Sequence, residues 1–279
     1  MSLQTKITIA IVVYNKFCAE CATFKCIDTL NKNNYNVIVY DNSTKDFKNK
    51  EYCEERNVVY LGGEGNNGLS KAYNSIVNYL LNDASSEIIC LFDDDTKISE
   101  EYFDALIKEL YDENFSIFVP VVESNGKIIS PFKSRKGHRA KKYKKIEDVF
   151  CTNKELGAIN SGMAIRLSIF NDYRYDENIF LDGIDHKFIL DSRKRGCKIK
   201  VLNYVCKHSL SSMEKQSKDS AIIRFRIFVK DYRYILKKSK FAYFRLVGKR
   251  ALRLTLQYKT LSFFKILFAK DSKENGESL

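Results

Sequence analysis

Strand-like apolar runs alternate with helical spacing four times before residue 112, and this alternation constrains the fold more than any other feature. Ile7–Val13 is continuous, β-branched and apolar, as a strand buried on both faces must be. Residues 17–32 suit a helix. Val37-Ile38-Val39-Tyr40, Val58–Leu61 and Ile88–Phe92 read as three further strands. Leu69, Ala72, Tyr73, Ile76, Val77 and Leu80 recur at helical spacing, which predicts a helix over 69–81. Ser99 predicts an N-cap, with Glu100 and Glu101 in the first turn of a helix to about Tyr111. Such an order predicts an α/β fold built on a parallel, doubly wound sheet.

In sheets of this kind, ligands lie beyond the carboxyl ends of the strands. Three polar clusters end strands here: Tyr14-Asn15, Asp41-Asn42-Ser43 and Asp93-Asp94-Asp95. They are expected to converge, although about 80 residues separate the outer two. Three adjacent carboxylates repel one another unless a cation lies among them. Alternate residues at a strand end face one side, so Asp93 and Asp95 could share that cation. All-oxygen ligands favour Mg²⁺ or Mn²⁺. The plainer reading is an acidic turn ahead of a helix. Gly63–Gly68 matches G-x-G-x-x-G but follows the third strand, so it reads as a turn feeding a helix N-terminus near an anion. No P-loop motif occurs. Cys18, Cys21 and Cys26 read as core packing rather than a redox pair, and no second C-x₂-C completes a zinc site.

Beyond Phe118, Ile117–Val122, Lys127–Ile129, Ala158–Arg166 and Lys198–Leu202 read as strands, and Asp185–Arg195 as a helix closed by Gly196. Residues 133–145 carry eight Lys/Arg and His138, which predicts a mobile loop. The formal charge of +12 is unevenly placed. Residues 221–270 hold 14 bases, 11 Phe/Tyr and a single acid, Asp231, for a net of +13. The remainder is near neutral at −1. Phe225, Phe228, Val229, Tyr232, Ile235 and Leu236 fall on one helical stripe, with Arg224, Lys230, Arg233 and Lys237 mostly off it. A basic amphipathic helix rich in aromatics predicts contact with an anionic membrane surface. The competing reading packs this segment on its own protein or on a second copy as a homodimer. Nucleic-acid binding ranks third, since no RNA-binding motif occurs. No secretory signal and no run of 18 apolar residues is seen. The eight cysteines therefore read as reduced thiols in the cytoplasm.

Taken together, Ile11–Asn15, Val39–Ser43, Asn67–Asn74 and Leu91–Thr96 resemble family 2 glycosyltransferases of the GT-A fold, in the same order along the chain. The resemblance continues through Asn160–Met163 and Phe180–Asp185, covers about residues 6–210, and is strongest to the rhamnosyltransferase-type branch that builds bacterial surface polysaccharides such as capsule. It implies a GT-A catalytic domain over 1–215, a Rossmann-like mixed sheet flanked by helices, followed by a basic helical region over 216–279. It implies that Asp41 contacts the base of a nucleotide-sugar donor, a UDP- or dTDP-sugar, with Tyr14, Asn15 and Asn42 lining the same pocket. Gly68, Lys71, Asn74, Asp93 and Asp94 would complete the donor site. Asp95, with Asp93 and His208, would hold Mn²⁺ or Mg²⁺. Asp185 would be the catalytic base, with Asp182 able to share that role. Many relatives have Glu where Ile184 stands and Arg where Asp191 stands, so the local charge network departs from the family pattern. The implied reaction is inverting transfer to a hydroxyl of a glycan acceptor, lipid-linked, by an enzyme peripheral to the inner face of the cell membrane. The alternative is a nonenzymatic basic nucleotide- or nucleic-acid-binding α/β protein.

Overall fold

The computed structural model describes residues 6–30, 35–83, 86–135, 139–150, 155–207 and 217–269. Its centre is one sheet in the order β11-β5-β10-β4-β1-β2-β3. β1 (Ile7–Val13), β2 (Tyr35–Asp41), β3 (Val59–Gly62) and β4 (Ile88–Asp93) are mutually parallel. β5 (Phe115–Ser124) pairs with β11 (Lys198–Lys207) in parallel and with β6 (Lys127–Ser130) antiparallel. β10 (Met163–Arg166) is shorter than its apolar run and lies antiparallel between β4 and β5. The sheet is therefore mixed, as the family resemblance implied, and the parallel order read from the strand–helix alternation holds for β1 to β4. A return strand needs no crossover helix, so helical spacing gives no sign of it.

Every strand-facing residue of β1 is buried except Val12, which is half-buried. This is why β1 reads as an unbroken apolar run: helices cover the sheet on both faces. α3 (Leu69–Asp83) and α6 (Ile184–Lys194) pack on one side, through Tyr73, Ile76, Ile184 and Phe188 among others. α1 (Ala22–Ile27) and α4 (Glu100–Leu110) pack on the other, with Cys18, Cys21 and Cys53 inside that core. Burial pushes the Cys21 thiol up to about 12, which keeps it a neutral packing group at ordinary pH.

The basic stretch 133–145 is not simply a loop. β7 (Phe132–Arg135) and β8 (Arg139–Lys142) pair antiparallel, and β9 (Leu156–Gly157) joins β7. Phe132 and Tyr143 are buried at the base of this hairpin and anchor it. The run of bases hides the strand alternation, because cations fill most positions between the two anchors. His138 lies outside the described residues.

α2 (Asn49–Glu54) and α5 (Glu147–Phe150) complete the sheet-bearing unit. Beyond it stand α7 (Lys218–Ile235), α8 (Lys240–Tyr258) and α9 (Ser262–Phe268). Ser217 and Ser239 cap α7 and α8, each accepting a backbone N–H three residues on. Phe225, Phe228, Val229 and Leu236 pack against Val247, Ala251, Phe263 and Leu267 in a core of their own. The α7 stripe expected to face a membrane is therefore largely turned inward, as the packing alternative required. The solvent face of α8 carries a second apolar set, Phe241, Phe244, Leu252 and Leu256. No described helix is long and apolar enough to cross a membrane.

Candidate functional site

Register brings the three polar clusters together. β1 lies between β2 and β4, with Val13 opposite Asp41 and Val12 opposite Asp93. The chain leaves all three strands at one edge of the sheet, as parallel order demands.

The β2 end is rigid. Asp41 is buried, and its Oδ1 accepts the Ser43 amide at 2.9 Å. Its Oδ2 accepts Asn49 Nδ2 at 2.9 Å and the Tyr60 hydroxyl at 3.1 Å. Asn42 accepts the Asn67 amide at 2.8 Å and so ties β2 to the glycine-rich turn. Asn15 has a left-handed φ of 48° and accepts the Thr44 amide at 2.9 Å, while Tyr14 projects into solvent. Beside them opens a cavity of 390 Å³ lined by Asp41, Ser43, Thr44, Tyr60, Gly62 and Gly65. Its volume lies in the range of small-ligand sites. A larger cavity of 440 Å³ lies at the opposite ends of β1 and β2, around Thr8, Tyr35 and Val59, away from every candidate carboxylate.

At the β4 end, Asp93 accepts the Ser161 hydroxyl, so the turn ahead of β10 holds that carboxylate in place. Asp94 pairs with Lys16 at 3.1 Å. Burial opposes the Lys16 charge, but the Asp94 hydrogen bond and charge outweigh it and hold the ammonium above its ordinary value. Asp94 nevertheless titrates high, because burial and the neighbouring Asp95 and Asp93 outweigh Lys16. Asp95 follows, half-buried. Among the described residues, no three His, Cys, Asp or Glu form a closed metal cage. The donor set is nonetheless all oxygen, in keeping with a hard cation that keeps positions for phosphate and water. His208 lies outside the described residues.

The segment 175–185 forms the facing wall, and its placement accounts for several candidate residues. Asn74 binds it with both side-chain atoms, donating to the Tyr175 carbonyl at 3.0 Å and accepting the Tyr175 amide at 2.8 Å. Ser70 donates to the Ile179 carbonyl at 2.6 Å, and the Leu69 amide donates to the Phe180 carbonyl at 2.7 Å. Gly68 is pressed against Phe180, where a Cβ would lie 2.7 Å from the ring. Asn74 and Gly68 thus hold the wall rather than line the cleft. Part of the α3 N-terminus is spent on a carbonyl instead of standing open to an anion. Lys71 is exposed on the first turn of α3.

Asp185 sits in the first turn of α6, and its Oδ1 accepts the His186 amide at 2.7 Å. It keeps some accessible surface, yet protein surrounds it densely. That burial raises its carboxyl above the ordinary value, His186 opposes the shift, and the Asp182 and Asp93 charges add to it. Asp93, Asp182 and Asp185 therefore share one electrostatic neighbourhood, although the first two stand 89 positions apart. Asp182 differs in kind: Arg224 from α7 occupies both of its oxygens. Asp191 pairs with Lys187 at 2.5 Å and Lys194 at 3.7 Å, and Ile184 is buried in the core. Neither position therefore offers Asp185 the Glu or Arg that the family pattern places there.

Sequence reasoning missed what the C-terminal helices do here. Asp231 is fully buried and accepts three backbone amides, from Phe180 at 2.8 Å, Leu181 at 2.8 Å and Asp182 at 2.7 Å. Burial raises its carboxyl, and the three amides oppose that shift. The single acid among 14 bases was the available signal: an acid kept in such a segment has a partner. Lys16, Tyr60, Ser161 and His186, whose ring lies 4.9 Å from Phe132, were missed as well.

A mixed sheet flanked by helices, with acids gathered at the carboxyl ends of parallel strands, is the GT-A architecture of nucleotide-sugar transferases. The chain belongs to the family 2 glycosyl transferases, whose family model matches residues 8–174, more than half of its 279 residues. No curated protein sequence matches it. Several solved structures share the fold at low identity. One is GalNAc-T7 with UDP, GalNAc and Mn²⁺, at TM-score 0.59 and 14% identity, covering 96% of this chain and 56% of that one. Another is the mannosyltransferase PcManGT from Pyrobaculum calidifontis with GDP-Man and Mn²⁺, at 0.57 and 11%, covering 95% and 74%. A third is residues 1–349 of S. aureus TarS, at 0.53 and 13%, covering 95% and 81%. Against the longer TarS chain the coverage is 85% of this chain and 44% of that one, at 0.51.

Proposed function

We propose that this glycosyltransferase moves a sugar, hexosyl or rhamnosyl, from a nucleoside diphosphate to a hydroxyl of a lipid-linked bacterial glycan, with inversion and with Mn²⁺ or Mg²⁺. The observation that carries this reading is the half-buried Asp185, whose carboxyl feels the Asp93 charge at the end of β4, on a sheet whose β2 end opens on the cavity at Asp41. Similar folds crystallised with UDP, UDP-GlcNAc and GDP-Man support the donor class.

Asp41, Asn42, Tyr14 and Asn15 would bind the nucleoside at the β2 end, and Asp94 with Lys16 would border the diphosphate. Asp93 and Asp95 would hold the cation, with His208 as a further candidate. Bound there, the cation supplies positive charge to the departing diphosphate. The attacking hydroxyl must lose a proton, and one base suffices for a single displacement. Asp185 suits that role because burial makes it a stronger base than an exposed carboxylate. Asp182, held by Arg224, would shape the field and leave proton transfer to Asp185.

The acceptor's lipid would place the enzyme at the inner face of the cell membrane. The support is the outer face of α8, where Phe241 and Leu256 are 76% and 70% exposed, with Phe244 and Leu252 beside them. Phe268 of α9, 67% exposed, extends this patch, its ring 6.0 Å from Phe244. Arg245, Lys249 and Arg253 flank it, and α8 and α9 carry no acid. Apolar anchors ringed by cations suit an anionic leaflet. Loss of nucleotide-sugar turnover in EDTA, restored by Mn²⁺ or Mg²⁺, tests the central reaction.

A further inference from the structure

Asp182 is approached by two guanidinium groups from the basic helices. Arg224 of α7 takes both of its oxygens, with Nη2 at 2.9 Å. Arg250 of α8 brings Nη1 to 3.9 Å of Oδ1, beyond a direct hydrogen bond. Arg250 lies over the Phe228 ring at 4.0 Å, which fixes its plane. Its Nε is buried and has no hydrogen-bond partner among the described residues. Burial lowers the basicity of Arg250, Asp182 opposes this, and Arg224 and Arg253 reinforce it. Two guanidiniums thus face a single carboxylate, and one of them hydrogen-bonds both of its oxygens. A buried N–H left without a hydrogen bond is costly, and the planar guanidinium fork, whose side chain stays 28% exposed, matches the oxygens of a phosphate.

We propose that Arg250 and Arg224 form a phosphate subsite beside Asp182, which receives the phosphate of the acceptor. The assignment to the acceptor rests on the transfer reading above; phosphate binding itself does not. The position supports that source. Residues two apart on a helix point about 200° apart, so Arg250 faces the wall of the cleft while Leu252 faces outward. One helix therefore separates the subsite from the apolar outer face. A phosphate attached to a lipid chain could reach the first from the second.

The test titrates the full chain, in EDTA, with n-octyl phosphate, glucose 1-phosphate and inorganic phosphate by calorimetry. The wild type is expected to bind at least one of them, and Arg250→Met to weaken that binding tenfold or more. Arg250→Lys, which keeps the charge, is expected to recover part of it. Preference for octyl phosphate assigns a lipid source, and equal affinity assigns phosphate alone. Melting temperature and Mn²⁺-UDP binding, measured on the same samples, are expected to be unchanged in Arg250→Met. Failure of every probe to bind the wild type, or equal binding to Arg250→Met, would overturn the subsite. Absence of nucleotide-sugar turnover with phosphate binding intact would instead overturn the transfer reading and leave the subsite standing.

Discussion

At the scale of single residues, the three acids of the wall differ because their surroundings differ. Asp182 is paired with Arg224, Asp231 is spent on backbone amides, and Asp185 is half-buried, with no salt bridge among the described residues. This difference is why Asp185 is the one proposed as the base. Asp185→Asn is predicted to lower transfer by about 10²- to 10⁴-fold, the usual worth of a general base, with nucleotide binding retained. The pH profile supplies the sign. A base works ionised, so activity rises with pH through the Asp185 pKa, and that acid limb is predicted to lie above the ordinary 3.8. An acid limb at or below that value, or undiminished transfer in the variant, removes Asp185 from the role.

At the scale of elements, the wall is held between two helices, α3 and α7. Gly183 has a φ of +82°, and a Cβ there would lie 2.8 Å from Ile235 of α7. Gly183→Ala is predicted to cost about 1–3 kcal/mol of stability through backbone strain. It is also predicted to lower kcat with little change in nucleotide affinity, read by thermal melting and steady-state kinetics. The solvent face of α8 gives an opposite expectation. Leu252→Glu with Leu256→Glu is predicted to abolish flotation with anionic vesicles at an unchanged melting temperature, because both side chains are already exposed. Flotation equal to wild type would defeat the membrane reading. These elements also mark how far the sequence could be read. The strands β1, β2 and β4 and their terminal acids were legible, because buried parallel strands leave continuous apolar runs. β10 was legible as a strand within 158–166 but its antiparallel place between β4 and β5 was not, and the β7–β8 hairpin was hidden by its charge. The use of Asn74 and Gly68 against segment 175–180 was invisible, because it joins positions about 100 residues apart. The single acid Asp231 was visible, but its partners were not.

At the scale of the molecule, the +13 segment is neither a separate tail nor a plain scaffold. Its inner side supplies Asp231, Arg224 and Arg250 to the wall of the cleft. Its outer side carries exposed apolar residues among cations. In the proposed reaction, carboxylates on a near-neutral sheet unit would do the chemistry and cations on the helices would meet the acceptor. The most direct measurement is consumption of a panel of nucleotide sugars by the full chain with Mn²⁺, with Mg²⁺ or with EDTA, alongside Asp95→Ala. At least one donor is predicted to be consumed with metal, to be spared in EDTA, and to be turned over far more slowly by Asp95→Ala. Turnover untouched by EDTA, or no turnover of any donor with either metal, would contradict the account.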